Sequence, residues 1–165
     1  MQKLTAVCVL ALLTACGGGS SSPTPVTATT PPPRDGLVVL AGAIGGKFTL
    51  SSSPVVHRDG HRFGCGDATI TIPYRETAGG SAVGGDYEIK ILDNTGFASR
   101  IAGKATNVSV GPNESGTITV TDSFICAEWF PTTAPPRAQV AMNFGGKING
   151  TVSQIAGVGP LAIIE

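Results

Sequence analysis

Ala68-Thr69-Ile70-Thr71-Ile72-Pro73-Tyr74 is the stretch that decides the fold class. Its even positions are apolar and most of its odd positions polar, the period of two required of a strand with one buried face. Thr117-Ile118-Thr119-Val120-Thr121 repeats the pattern. Working outward, further candidate strands run from Val38 to Ala41, Lys47 to Ser51, Tyr87 to Leu92, Lys104 to Val110, Gln139 to Phe144, Lys147 to Ser153 and Leu161 to Ile164, eight or nine in all. Turn signals fall between them at Asp59-Gly60, Gly79-Gly80, Gly84-Gly85, Asp93-Asn94, Pro112-Asn113 and Gly145-Gly146. No stretch carries an apolar stripe of helical period with caps. The pattern predicts an all-β antiparallel domain, a sandwich or a small barrel, because many short strands must stack or close to cover their edges.

The chain has 165 residues with 11 Lys plus Arg against 11 Asp plus Glu, a net charge of zero that argues against the concentrated basic face of a nucleic-acid binder. Its first residues, MQKLTAVCVLALLTAC, place one positive charge at Lys3 before an apolar run from Leu4 to Ala15. That run is far shorter than the ~20 residues of a membrane-spanning helix and reads as a signal peptide over 1–15. Leu13-Thr14-Ala15-Cys16 resembles the lipobox of bacterial lipoproteins. The resemblance implies cleavage before Cys16, acyl chains on its sulfur and amino group, and a membrane anchor in the cell envelope. Gly17, with no Asp after the first mature residue, is similar to lipoproteins sorted to an outer membrane.

From Gly17 to Gly36 the chain reads GGGSSSPTPVTATTPPPRDG, with no apolar periodicity. Such a segment cannot bury enough surface to offset its ordering entropy, so residues 16–36 are expected to form a disordered, lipidated tether and 37–165 a single β domain. With Cys8 in the leader and Cys16 lipidated, Cys65 and Cys126 are the cysteines left to pair in an oxidising compartment. Cys126 continues the even phase of Ile118, Val120 and Phe124, so in the absence of a bulge it points into the core. The only tryptophan, Trp129, follows the second cysteine, which departs from the immunoglobulin pattern and leaves a general resemblance to disulfide-linked sandwiches.

Candidate chemistry is sparse. His57 and His61 flank Asp59, but a two-residue Asp59-Gly60 hairpin loop would put the histidines on opposite faces, a solvated hairpin rather than a metal site. Asp122 interrupts an apolar strand face, and with Glu128 it is the candidate carboxylate pair of a small hydrolase; a bulge turning Asp122 outward is the plainer reading. Gly45-Gly46-Lys47 lacks the spacing of a phosphate loop, and the glycines from 78 to 85 read as a flexible loop. Trp129 and Phe130, ahead of Pro131, Pro135 and Pro136, either present an apolar patch to a partner or cap one end of the core. The sequons at Asn107, Asn113 and Asn149 read as accidental. No metal or cofactor is expected.

Val140 to Gln154, VAMNFGGKINGTVSQ, is similar to barrel hairpins of surface lipoproteins such as the transferrin-binding proteins. It covers about a tenth of the chain, and no site residue is carried over from it. The sequence thus predicts a lipid-anchored envelope interaction or structural module that binds a protein or glycan partner. The alternatives are an envelope hydrolase using carboxylates and a barrel that carries an apolar ligand.

Overall fold

A computed structural model describes residues 30–131 and 134–165. The expected leader, Cys16 and most of the expected tether lie outside the described residues. Ten strands follow one another: β1 (Val38–Leu40), β2 (Gly45–Leu50), β3 (Val55–Val56), β4 (Arg62–Glu76), β5 (Ala82–Leu92), β6 (Ser99–Lys104), β7 (Ser109–Val110), β8 (Ser115–Trp129), β9 (Arg137–Gly146) and β10 (Val152–Ile164). They form one sheet.

The sheet is built around β4, which contains the alternating stretch Ala68 to Tyr74. β4 pairs with β8 along nearly its whole length, and its other edge carries β3, β2 and β1 in turn. From β2 the sheet continues through β10 and β9 to β5, whose far edge carries β6 and β7. β8 is therefore one margin of the sheet, and β6 with β7 is the other. Leu161 to Ile164 of β10 run parallel to Gly46 to Thr49 of β2, so the sheet is mixed rather than wholly antiparallel as expected. Each of these two strands is antiparallel to its other neighbour.

Among the described residues ten strands stand where eight or nine were expected, and their bounds differ in three places. Of the expected strand from Lys104 to Val110 only the ends are extended: Lys104 closes β6, which begins at Ser99 ahead of it, residues 105–108 turn, and β7 follows, while Val55–Val56 adds the short β3. Residues 147–150 form a loop instead of part of a strand, and β10 instead runs through Gly157, Gly159 and Pro160. Glycine is needed there because a Cβ at Gly159 would overlap the Ile44 carbonyl oxygen. Gly84 and Gly85, expected in a flexible loop, lie inside β5, where Gly85 and Asp86 together oppose Asn143 in a bulge.

Inward side chains form one core, with Phe48, Ile70, Ile89, Met142, Phe144 and Leu161 all fully buried. Cys65 and Cys126 are disulfide-bonded across β4 and β8, their Cα atoms 4.0 Å apart. Between Gly66↔Ile125 and Ala68↔Asp122 the register slips, because Ser123 and Phe124 oppose Asp67 alone. This bulge overturns the phase expected for Cys126: Ile125, Ala127 and Trp129 turn inward and the cystine lies half-buried on the outer side. Backbone bonding of the domain begins just before Leu37, with Ser81 N–H donating to the Arg34 carbonyl and Gly36 N–H to the Ser81 carbonyl.

Candidate functional site

Backbone geometry picks out the margin of β8. In an antiparallel ladder, closely spaced Cα pairs leave their N–H and C=O groups pointing away from each other. The 4.0 Å Cys65–Cys126 pair is of this kind, and by the two-residue alternation so is Phe63–Glu128. Glu128 behaves accordingly: its N–H donates to Asp93 Oδ2 (2.9 Å) and its carbonyl accepts from Asn94 N–H (3.0 Å), both in the turn after β5. On the other side of the bulge, Thr117 faces Pro73, which has no N–H and whose carbonyl accepts from Ala41 on the opposite edge. The alternation therefore aims the main-chain N–H and C=O of Thr117, Thr119 and Thr121 at the free margin. All three residues are exposed.

Those margins do not diverge. Thr117 to Thr121 of β8 and Lys104 to Ser109 of β6, β7 and their connection line one groove of about 510 Å³, inside the usual range for ligand clefts. Two tyrosines form its floor. Tyr74 lies over Gly116 and Tyr87 over Gly103, each ring occupying the space that a Cβ on the glycine would need. Burial together with the neighbouring Glu114 carboxylate, 3.3 Å from its hydroxyl, raises the Tyr74 pKa. The one charged lining side chain, Lys104, is paired with Asp86 at 2.7 Å. Beyond the bulge, the turn after β5 bonds the Glu128 backbone through Asp93 and Asn94.

No protein-family model matches this chain, and no curated protein is similar to it. The site is accordingly defined by its own geometry.

The sequence-predicted candidates are distributed elsewhere. Trp129 is only 2% exposed and sits edge-on to Phe48, ring centroids 6.3 Å apart, so it is a core residue and not the exposed half of an aromatic patch. The bulge is the reason, since it moves the odd positions of β8 to the inside. Phe130 is half-buried with its ring 3.7 Å from that of His61. The hairpin carrying the histidines has a three-residue loop, with His57 N–H donating to the His61 carbonyl and Gly60 at φ 89°. His57 and His61 are thus directly opposite each other, correcting the expectation of opposite faces. His61 Nδ1 lies 3.1 Å from Glu128 Oε1. Among the described residues no three His, Cys, Asp or Glu converge as metal ligands.

Asp122 and Glu128 do not form a catalytic pair. Roughly 20 Å of strand separates them, and the phase inversion sets them on different sides of it. Asp122 instead accepts from the Ser123 N–H at the bulge (3.0 Å). Of the sequons, Asn107 lies beside the groove and Asn113 adopts φ 58° in the turn before β8.

Two further carboxylates, Glu76 and Asp35, are held by backbone donors. Glu76 is 1% exposed and accepts from the N–H groups of Leu37, Ala78, Gly79 and Asn113 at 2.6–3.1 Å. Burial opposes its ionisation, but the backbone donors prevail and hold its pKa down at about 2. Its position was the available signal, because Glu76 falls on the inward phase of Ala68 to Tyr74. Asp35 accepts from Ile148, Asn149 and Thr151 N–H at 2.7–3.1 Å, and these bonds outweigh its desolvation to lower its pKa. No local pattern announces that contact across more than a hundred residues.

Proposed function

We propose that this protein is a lipid-anchored cell-envelope interaction module, acylated at Cys16, sorted to the outer membrane and holding its partner in the groove between the two sheet margins. The groove carries the reading: it combines unbonded main-chain groups, an aromatic floor and no unpaired charge in one concave place. The lipobox resemblance supports the anchor. We further read the sheet as curling into a barrel-like form, supported by the Asp93 and Asn94 contacts to Glu128 and by the margins that share one cavity. The Asp122 and Glu128 carboxylates of the hydrolase alternative lie on different sides of β8, roughly 20 Å apart along it, and the carrier alternative meets inward positions filled by mutually packed side chains.

Two measurements test this. Radiolabelled palmitate is expected in the native chain and absent after Cys16→Ser. A photocrosslinking residue at Thr119 is expected to give protein or glycan adducts of defined mass in intact envelope, whereas one at Val158 on the outer face of β10 gives none. Equal adducts from both positions, or none from Thr119, would overturn the placement of the contact.

A further inference from the structure

We propose that the groove takes an extended, uncharged peptide segment of a partner protein, about five residues long, which adds to β8 as a strand. This rests on the groove being the contact site. Thr117, Thr119 and Thr121 offer main-chain donors and acceptors at every second residue, and an extended chain presents the complementary groups at the same repeat of about 6.7 Å. A glycan has hydroxyls but no such alternating line of donors and acceptors.

The charges favour the same occupant. Sheet margins are ordinarily protected by lysine, proline or a bulge. β6 carries Arg100 and Lys104, whereas Ser115 to Thr121 of β8 has neither charge nor proline. Protection resumes at Asp122 and the Ser123–Phe124 bulge, which limits pairing to the segment before them. With Lys104 already held by Asp86, a charged peptide would find no counter-charge in the lining. Inward side chains of the added strand meet Tyr74 and Tyr87, so small apolar residues suit them; outward ones lie beside the threonines, so β-branched polar residues suit those.

The test uses the full mature chain in detergent and a blocked seven-residue probe of alternating threonine and valine. Titration is expected to shift the amide resonances of Thr117, Thr119 and Thr121. N-methylating alternate residues of the probe is expected to weaken binding at least tenfold on one edge pattern and much less on the other. Thr119→Pro is expected to abolish binding with little change in melting temperature, because the lost N–H faces the margin, where proline is tolerated. Thr121→Lys serves the same purpose should the proline variant fold poorly.

Binding that ignores both N-methyl patterns, or survives both substitutions, would overturn the proposal. So would a response to a chitin tetrasaccharide in place of the peptide, or a concentration-dependent dimer abolished by Thr119→Pro, which would assign the margin to a glycan or to a second copy. Crosslinks from Thr119 without peptide binding would overturn the strand-addition proposal alone, whereas absence of crosslinks removes the interaction site itself.

Discussion

Glu76 is a carboxylate placed where an apolar side chain is expected, and its four backbone donors come from three separate parts of the chain. Because its pKa in the folded protein lies below the unfolded value of 4.5, the stabilisation it brings is complete above about pH 4.5 and is lost as pH falls towards 2. Chemical denaturation between pH 2 and 7 is expected to show this loss, and Glu76→Gln to flatten it. At neutral pH the same substitution should cost about 3 kcal/mol, since the amide puts a second donor among groups that already donate. Phe124 presents the opposite case. It is 91% exposed and held at φ 61°, a conformation costly for a bulky residue. Phe124→Gly is expected to leave stability unchanged or raise it by up to about 1 kcal/mol in urea melts, because little buried surface is lost and the backbone strain is relieved. Glu76 was legible in the sequence through its phase, but Phe124 was not, because the bulge depends on how two distant strands meet.

At the scale of the element, β4 shows how far periodicity reaches. The alternation over Ala68 to Tyr74 placed the strand and its inward face correctly; β4 itself extends from Arg62 to Glu76. In β8 the alternation was correct as far as Asp122 and inverted beyond it, which is why Trp129 proved to be a core residue and Cys126 faces outward. Hydrogen exchange checks the assignment of the margin: amides of Ile118 and Val120, directed at β4, are expected to exchange much more slowly than those of Thr117, Thr119 and Thr121. Equal protection along the strand would contradict the assignment. β10 shows the opposite limit, since the expected strands ended at Ser153 and resumed at Leu161 although β10 runs unbroken through Gly157, Gly159 and Pro160. Gly159→Ala should cost roughly 3 kcal/mol or more in thermal melts, because the added methyl would meet the Ile44 backbone rather than a movable side chain.

In the whole molecule, the cystine links one margin of the sheet to its longest interior strand, closing a loop with 61 residues of sequence separation. Cys65→Ala with Cys126→Ala is expected to lower stability by about 4 kcal/mol, a large share of the ~5–15 kcal/mol typical of a domain. Denaturant melts compared with and without reductant would measure it, and equal midpoints would deny the bond a stabilising role. The all-β class, the principal strands and Cys65 with Cys126 as the pair to be joined were legible in the sequence, because periodicity, turn chemistry and cysteine arithmetic are local or countable properties. Only the tertiary structure decided the mixed strand order, the inverted end of β8, the anchoring of Asp35 and Glu76, and the facing margins that make the groove. Each of these depends on register between segments far apart in the chain, and register is fixed by which faces bury together and which backbones can approach, not by the residues of any one segment.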